Sequence, residues 1–140
     1  MEETKNIVLD ASVALKWFLG EEEDFEKAQQ LLLEIQEGKH KILVPFHFMS
    51  EVANTLSRKV PHLLLEALSY LRLLGLKEVA LSLDDAAIAL NLMGKNPNLV
   101  FYDTAYHALA IRHKSIFVTA DRKYYSVVKD ESHVRLLGNS

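Results

Sequence analysis

Short runs rich in Ile, Val and Leu alternate along this chain with longer segments whose apolar residues recur every three or four positions. The first pattern is typical of buried strands and the second of amphipathic helices. Strands that alternate with helices usually form a parallel sheet with helices on both faces. We therefore predict an α/β fold, a three-layer α/β/α sandwich around a central parallel sheet, formed as a single domain over residues 1–140.

The element boundaries follow from the same patterns and from the glycine, proline and cap residues between them. Strands are predicted at 6–9, 41–44, 78–83, 116–119 and 133–137. Helices are predicted at 12–19, 25–37, 46–59, 62–74, 84–93 and 102–113, with Asp84 as the N-cap of the fifth. The helix at 62–74 is apolar around much of its circumference, so we expect it to pack on more than one side.

The composition excludes several classes of protein. The longest purely apolar runs span only a few residues, whereas a membrane helix needs about 20. The chain has no cysteine, so it has no disulfide and no thiolate metal site. Its polar, acidic start is unlike a secretory signal, and we expect a cytoplasmic protein without membrane contact. The net charge of −3 argues against indiscriminate binding to nucleic acid.

Two carboxylates stand just after predicted strands. Asp10 follows the apolar run 7–9, and Asp121 lies two residues beyond the strand 116–119. Because parallel strands end at one edge of the sheet, both side chains should emerge where open α/β proteins bind their ligands. A charge at the end of a buried strand must be paired, hydrated or bound to a metal, which makes Asp10 the harder of the two to explain structurally.

Two further carboxylates lie on predicted helices. Glu51 shares a polar helix face with Asn54 and Arg58 at spacings of three and four. The core-facing residues of that helix are predicted to be Met49, Ala53 and Leu56. Asp103 opens the helix of FYDTAYHALA, where the helix dipole favours a negative charge. Taken alone, Asp103 is equally well explained as a helix cap, and Glu51 is better explained as a surface residue.

A convergence of these carboxylates would require a cation. Neighbouring negative charges raise one another's pKa unless a positive ion lies among them. A hard divalent ion with oxygen ligands, Mg²⁺ or Mn²⁺, meets that requirement. Zinc is disfavoured, because the six histidines form no HExxH helix and there is no cysteine to join them.

Four motifs follow one another along the chain: VLDASVALKW, SEVANTL, YDTAYHALA and VTADRKYY. In this order and spacing they resemble the PIN-domain nucleases, and in length and motif style the VapC-type toxins of toxin–antitoxin pairs. The resemblance extends from about residue 6 to the last predicted strand. It implies a PIN-like fold and a metal-dependent endoribonuclease that cleaves RNA phosphodiester bonds.

The resemblance also implies roles for individual residues. The catalytic carboxylates would be Asp10, Glu51, Asp103 and Asp121, and the ligands of Mg²⁺ or Mn²⁺ would be Asp10, Asp103 and Asp121. The supporting polar residues would be Ser12, Asn54 and Thr119. Thr104 and His107 depart from the family pattern, in which Ala and an aliphatic residue are common, and this bears on substrate preference more than on activity. His107 is otherwise explained as a hydrogen-bonded structural histidine.

An acidic site needs nearby groups that attract RNA. Contacts to phosphates are expected from Lys16, Arg58, Arg122 and Lys123, although ordinary surface charge explains any one of them as well. Base stacking is possible for Tyr102, Tyr124 and Tyr125, with core packing favoured for at least one of the three. The resemblance implies a homodimer and, for a toxin, a cognate antitoxin that covers the active-site groove.

Three alternatives belong to other classes. A phosphatase of the haloacid dehalogenase type needs a second Asp two residues after the first, where this chain has Ser12. A response-regulator receiver needs a lysine at the end of a late strand, where Asp121 stands. The third is a catalytically silent PIN-like module that binds RNA or a protein, and the presence of all four carboxylates argues against it.

Overall fold

The computed structural model describes residues 5–20 and 23–138, apart from the side chain of Lys5. Five parallel strands form one sheet in the order β3-β2-β1-β4-β5. They are β1 (Lys5–Leu9), β2 (His40–Pro45), β3 (Lys77–Val79), β4 (Ile116–Thr119) and β5 (Val134–Leu136).

Seven α-helices connect these strands. They are α1 (Ala11–Leu19), α2 (Phe25–Gln36), α3 (Phe48–Lys59), α4 (Leu64–Leu73), α5 (Leu83–Lys95), α6 (Phe101–Arg112) and α7 (Arg122–Val128), with a 3-10 turn at Pro61–Leu63 before α4. The predicted α/β fold with a central parallel sheet is therefore confirmed. Helix α7 was not among the predicted elements.

The helices cover both faces of the sheet. Crossovers between parallel strands are right-handed. From β1 the chain moves to β2 and β3, toward one edge of the sheet, and it then returns across the sheet to β4 and β5, toward the other edge. Helices α1 to α4 therefore lie on one face, where α1 packs on α2 and α3. Helices α5 to α7 lie on the other, where α6 packs on α5, β1 and β4.

The central strands are buried on both faces. Val8 and Leu9 in β1 are completely buried although their side chains point in opposite directions, and Phe117 and Val118 in β4 are similarly enclosed. Burying a side chain of this size contributes about 1.5–3 kcal/mol each. The rigid centre of the sheet thus consists of the two strands that carry the carboxylates at their ends.

The change in strand order falls between these two strands. β1 leads to β2 on one side, while β4 leads to β5 on the other, so their carboxyl ends flank a topological switch point. Leu9 pairs with Val118, and the Asp10 backbone N–H donates a 3.1 Å hydrogen bond to the Val118 carbonyl. The parallel ladder therefore continues as far as Asp10.

Helix α3 presents a different face to the core from the predicted one. Phe48, Val52 and Leu56 are completely buried, whereas Met49 and Ala53 are only half-buried. The prediction was correct for Leu56 and partly correct for Met49, which packs against the core, but it included Ala53 and omitted Phe48 and Val52. The helix begins at Phe48, and its buried stripe follows from there at intervals of four.

Helix α5 begins with a cap that the sequence prediction misplaced. Ser82 is the N-cap, since its hydroxyl accepts the Asp85 N–H at 3.0 Å and the Asp85 carboxylate accepts the Ser82 N–H at 3.1 Å. This reciprocal pair is a capping box, and it replaces the predicted cap at Asp84. The preceding strand is correspondingly shorter than predicted and ends at Val79.

Helices α4 and α5 leave apolar side chains exposed. Only Ala67 and Leu71 of α4 are buried, so the prediction that this segment packs on more than one side was wrong. Its exposed leucines and those of α5 are Leu65, Leu73, Leu83 and Leu90. Among the described residues, no helix is both long and apolar enough to cross a membrane.

Candidate active site

Asp10 lies at the carboxyl end of β1, where it opens helix α1. Two hydroxyls donate to the same carboxylate oxygen: Ser12 Oγ lies 2.9 Å from Oδ2, and Thr119 Oγ1 lies 2.6 Å from it. One hydroxyl comes from α1 and the other from the end of β4. The carboxylate is therefore fixed across the switch point of the sheet.

Both hydroxyls are oriented by the turn between β4 and α7. Ser12 Oγ accepts the Ala120 N–H at 3.0 Å, and Thr119 Oγ1 accepts the Asp121 N–H at 3.0 Å. A hydroxyl that accepts a backbone N–H still has its own proton to donate, and here each donates it to Asp10. The supporting roles predicted for Ser12 and Thr119 have this geometric basis.

The Asp10 carboxyl group is protonated more readily than an ordinary aspartate. Burial raises its pKa to about 6, against the lowering effect of the hydrogen bonds from Thr119 and Ser12, and the charge of Asp103 adds to the increase. A carboxyl group with such a perturbed pKa, placed at a switch point, is a candidate functional group.

Glu51 approaches the same region from helix α3. Its Oε1 accepts a hydrogen bond of 2.9 Å from the Tyr106 hydroxyl and lies 3.2 Å from His47 Nε2. Burial raises the pKa of Glu51 to about 7; the Tyr106 hydrogen bond lowers it, and the charges of Asp10 and Asp103 raise it. The surface interpretation that local sequence favoured for Glu51 is therefore only partly correct, because the side chain is half-buried and bonded to Tyr106.

His47 is fixed in one orientation. Its Nε2–H donates to the Tyr102 carbonyl at 2.9 Å, which assigns the proton to that nitrogen. Burial lowers the pKa of the ring. Within the described part of the chain, Nδ1 is buried without a hydrogen-bond partner.

Asp103 and Asp121 begin the helices on the other side of the site. Asp103 is the third residue of α6, whose N-cap is Val100, so Asp103 is not the cap. Burial raises the pKa of Asp103, and the charge of Asp121 raises it further. Asp121 is itself the N-cap of α7, where Oδ1 accepts the Tyr124 N–H at 3.0 Å. Both carboxylates line a groove of about 500 Å³ together with Lys123.

The four predicted carboxylates thus occupy one electrostatic neighbourhood. The charge of Asp103 raises the pKa of Asp10, and the charges of Asp10 and Asp103 raise the pKa of Glu51. The charge of Asp121 in turn raises the pKa of Asp103. Their donor atoms are all oxygens, which suits a hard divalent cation. As the side chains stand, however, no three Asp, Glu or His residues in the described ranges lie close enough together to hold a metal ion.

Asn54 does not contact the predicted carboxylates through any of its observed hydrogen bonds. It is exposed, and its Oδ1 accepts a bond of 3.3 Å from Arg58 Nη2. It lines a groove with Glu51 on the outer side of α3. Its predicted support of the acidic set remains a prediction.

The basic residues predicted to contact RNA are placed differently from one another. Lys16 is buried and donates to the Glu23 carbonyl at 2.8 Å. Arg122 is paired with Glu23 at 2.8 Å and with Asp24 at 2.9 Å. Arg58 and Lys123 are exposed beside the two grooves. These last two are the predicted cations with the more direct access to the site.

Sequence reasoning missed two residues that shape this site. Tyr106 is buried and holds Glu51, and His47 packs edge-on against Tyr106 with ring centroids 5.0 Å apart. The available signal was the helical spacing: Tyr106 stands three residues after Asp103, and His47 four residues before Glu51.

The two departures from the family pattern are structural. His107 is completely buried, donates through Nε2 to the Ser132 carbonyl at 2.7 Å, and receives the Tyr124 hydroxyl at Nδ1 at 3.0 Å. The structural explanation of His107 is therefore correct. Thr104 is also buried and donates to the Val100 carbonyl at 2.8 Å. Tyr124 packs in the core, as favoured for one of the three tyrosines.

Solved structures share this fold at low sequence identity. A toxin–antitoxin complex from Klebsiella pneumoniae aligns with a TM-score of 0.71 and 16% identity over 94% of this chain and 97% of that one. VapC20 from Mycobacterium tuberculosis, a toxin that cleaves the sarcin–ricin loop, aligns with a TM-score of 0.67 and 15% identity over 86% and 93%. VapBC2 from Rickettsia felis, bound to a DNA fragment from its promoter, aligns with a TM-score of 0.66 and 14% identity over 94% of this chain and 96% of that one.

Sequence comparison assigns the family directly. No curated protein matches the chain closely enough to be informative. The PIN domain family, in contrast, matches residues 7–130, a span that runs from β1 through α7 and contains the four carboxylates. The all-parallel sheet and the solved structures agree with that match. The chain therefore belongs to the PIN domain family.

Proposed function

We propose that this protein is a divalent-metal-dependent endoribonuclease and the toxin of a toxin–antitoxin pair. The observation that carries the proposal is Asp10, a half-buried carboxylate fixed by two hydroxyls at the switch point of the sheet, with the charges of Glu51 and Asp103 nearby. Such a group costs folding free energy. Its retention is explained if it binds a cation that acts on a phosphodiester.

Asp10, Asp103 and Asp121 are the proposed ligands of Mg²⁺ or Mn²⁺, and Glu51 completes the catalytic set. A divalent ion at this position would supply positive charge to the attacked phosphoryl group and lower the pKa of a nearby water. Because the carboxylates are not in ligating range as they stand, their side chains must rotate inward on binding. Asp103 and Glu51 are each only half-buried, which leaves them room to do so.

Neighbouring polar residues orient these carboxylates. Ser12 and Thr119 hold one oxygen of Asp10, and the Tyr106 hydroxyl holds one oxygen of Glu51. Such bonds fix the direction in which a ligand oxygen points. Lys123, exposed in the groove of Asp103 and Asp121, is the proposed contact to a phosphate beside the scissile one.

The toxin assignment is supported by the proteins that share the fold. They include a toxin–antitoxin complex, an RNA-cleaving toxin and a toxin–antitoxin pair on promoter DNA. We propose that this chain likewise has a cognate antitoxin and forms a homodimer. Leu83 and Leu90 are 89% and 70% exposed and stand seven residues apart on one face of α5, which is the proposed dimer contact.

The deciding experiment is cleavage of a mixed set of labelled RNAs by the purified protein. Mg²⁺ or Mn²⁺ is compared with a chelator, and the wild type with Asp10→Asn and Asp103→Asn. Cleavage that requires the metal and disappears in both variants supports the nuclease. Equal cleavage by the variants would identify a contaminating enzyme.

One observation favours a second candidate, the catalytically silent PIN-like module. The described carboxylates do not converge within ligating range. Such a module would bind RNA or a protein partner without cleaving RNA and without gaining affinity for Mn²⁺ over a control protein. A titration with Mn²⁺, monitored by its electron paramagnetic resonance signal, separates the two candidates even when no tested RNA is cut.

The proposed dimer has its own test. Leu83→Glu and Leu90→Glu place charges on the exposed face of α5 without removing a buried side chain. Sedimentation of wild-type protein as a dimer and of both variants as monomers would support this contact. A wild type that sediments as a monomer at micromolar concentration would exclude the dimer.

A further inference from the structure

A second groove opens on the Glu51 side of the site. It has a volume of about 430 Å³ and lies between the start of α3 and the start of α6. The residues that line it are Phe46, His47, Ser50, Glu51, Asn54 and Tyr102. Since Glu51 belongs to the proposed catalytic set, anything bound in this groove lies directly beside the proposed reaction centre.

Two exposed aromatic rings form part of the groove. Phe46, in the turn after β2, is 46% exposed, and Tyr102, the second residue of α6, is 60% exposed. Neither ring is used in the hydrophobic core. Large apolar rings that remain in water beside a functional site are candidates for contact with a ligand.

A buried histidine connects the two rings. The His47 ring lies edge-on to Phe46 with centroids 4.8 Å apart and edge-on to Tyr102 at 5.2 Å. The Nε2–H of His47 donates to the Tyr102 carbonyl at 2.9 Å, so this histidine also fixes the backbone that carries the second ring. The aromatic walls are therefore positioned before any ligand arrives.

The remaining wall is polar. Ser50 and Asn54 are exposed on α3, one helical turn apart, and offer a hydroxyl and a carboxamide. Arg58, one further turn along, donates to Asn54 Oδ1 and brings a positive charge to the outer end of the groove. Aromatic faces, amide groups and a guanidinium are what a nucleotide requires: stacking, edge hydrogen bonds and a phosphate contact.

We propose that this groove, between Phe46 and Tyr102, binds an unpaired nucleobase of the RNA strand next to the phosphate that is cut. The proposal rests on the proposed nuclease function and adds to it the place on this chain where one base of the substrate is held. A base within an A-form helix is stacked on its neighbours and does not present its faces to protein rings. Asn54 and Ser50 read the edge of the bound base, while Arg58 contacts its phosphate.

Binding without cleavage tests the groove separately from the chemistry. Full-length protein in chelator is titrated into labelled single-stranded RNAs of about ten nucleotides, a length that covers the site. Each nucleotide is then replaced in turn by an abasic one. The wild type is expected to lose roughly 5- to 150-fold in affinity at one position, the effect of losing one base–aromatic stack.

Phe46→Ala and Tyr102→Ala should bind the intact RNA more weakly by a similar factor and show no further loss at that abasic position. Tyr102→Phe retains the ring and should behave as the wild type. Leu65→Ala, which removes an exposed side chain of α4 outside the groove, is the matched surface control. Both rings are largely exposed, so their removal should leave the melting temperature nearly unchanged.

The outcomes separate this proposal from the nuclease itself. An abasic profile that is the same in the wild type and in both alanine variants overturns the base site, even if the wild type cleaves RNA. Equal loss of affinity in Tyr102→Phe and Tyr102→Ala also overturns it, because the hydroxyl rather than the ring would then be responsible. Absence of any binding to single-stranded RNA overturns it as well. A profile that shifts as expected, in a protein that cleaves nothing, supports the site and contradicts the nuclease.

Discussion

The Tyr106 hydroxyl donates a 2.9 Å hydrogen bond to Oε1 of Glu51 and lies within reach of the backbone N–H of Ala11, the residue after Asp10. The ring behind it is 1% exposed and stacks on Phe117 with centroids 5.4 Å apart. One phenol on α6 therefore connects the carboxylate of α3 to the carboxyl end of β1.

Loss of this hydroxyl should weaken the site without unfolding the protein. In Tyr106→Phe the ring still fills its cavity, but Glu51 loses the donor that directs it. Substitution of such a supporting group typically reduces metal affinity or activity roughly 10- to 100-fold. The donor also lowers the pKa of Glu51, so its removal should shift the acid limb of the pH–rate profile to higher pH. The measurements are Mn²⁺ affinity and RNA cleavage as a function of pH.

A matched variant distinguishes this effect from a general loss of a tyrosine hydroxyl. Tyr70, on α4, also bonds through its hydroxyl, to Gln36, but lies outside the site. Tyr70→Phe should keep the wild-type Mn²⁺ affinity and pH profile. Tyr106→Phe with those same wild-type properties would show that the hydroxyl does not position Glu51.

Thr119→Val should remove one of the two hydroxyl hydrogen bonds that hold the Asp10 carboxylate in place. The substitution preserves the shape of a completely buried side chain but removes the 2.6 Å donor to Asp10 Oδ2 and the acceptor of the Asp121 N–H. Leaving buried polar groups without partners costs about 1–3 kcal/mol. We expect a free energy of unfolding reduced by that amount, measured in urea, together with at least tenfold weaker Mn²⁺ binding.

Thr104→Val is the control for this substitution. Thr104 is equally buried, but its hydroxyl donates to the Val100 carbonyl within its own helix. Its hydroxyl also bonds to Tyr124 but not to Asp10, so its replacement should leave Mn²⁺ affinity within roughly twofold of the wild type, whatever its effect on stability. Equal effects of the two substitutions on metal affinity would contradict a special role of Thr119.

The sequence predicted most of the sheet because buried strands have a clear local signature. Residues 116–119 are three large apolar residues followed by a β-branched Thr, with polar residues at 112–115 before them, and the predicted strand coincides with the observed one. The placement of Asp10 and Asp121 at one edge of the sheet followed from a topological rule, since both come after strands that end there. These predictions needed no knowledge of side-chain contacts.

The sequence predictions failed where tertiary packing determines which side chains are buried and which residues they contact. The most buried residues of α3, Phe48 and Val52, are selected by the elements against which the helix packs, and the first helical residue was also misplaced by two positions. The role of Tyr106 depends on contact between α6 and α3, which are 55 residues apart at the bonded pair. Arg122 is held by Glu23 and Asp24 across 99 and 98 residues. Local patterns carry no information on such partners.

The contribution of Asp10 and Glu51 to the stability of the metal-free protein should decrease as the pH rises from about 4 to about 7. The pKa of Asp10 rises from 3.8 to about 6 and that of Glu51 from 4.5 to about 7, mainly because of burial. Both groups are protonated in the folded and unfolded states below about pH 4. Above pH 7 the folded state holds them ionised, so the stability present below the unfolded-state pKa values is lost progressively from about pH 4 to about pH 7.

Asp10→Asn removes one of these charges and keeps an oxygen that can accept from Ser12 and Thr119. Its free energy of unfolding at pH 8 should exceed that of the metal-free wild type by roughly 1–3 kcal/mol, because one pKa unit corresponds to about 1.4 kcal/mol. The difference between the two proteins should shrink toward pH 4. Comparing them cancels the contributions of histidines and other groups. A difference that does not depend on pH would be incompatible with a raised pKa at Asp10.

The pair formed by Asp85 and Arg112 should be structural rather than catalytic. The Asp85 carboxylate binds the Arg112 guanidinium and also accepts the Ser82 N–H at the start of α5, so one side chain joins α5 to the last turn of α6. Burial raises the pKa of Asp85, but the hydrogen bonds from Arg112 and Ser82 lower it by a larger amount. The net pKa is therefore depressed. Its stabilisation is therefore present above the unfolded-state pKa and is lost as the pH falls.

Asp85→Ala removes the acceptor of the Ser82 N–H and the ion pair with Arg112, and should lower the free energy of unfolding by about 2–4 kcal/mol. Ser82→Ala, which removes only the hydroxyl of the capping box, should cost about 1 kcal/mol. Arg112 stands nine residues after Asp103, about 13 Å along the helix, so RNA cleavage per folded molecule should be unchanged in both variants. Urea titrations give the stabilities, and cleavage assays well below the melting temperature give the activities. A selective loss of cleavage in Asp85→Ala, with stability intact, would instead place Arg112 in contact with RNA.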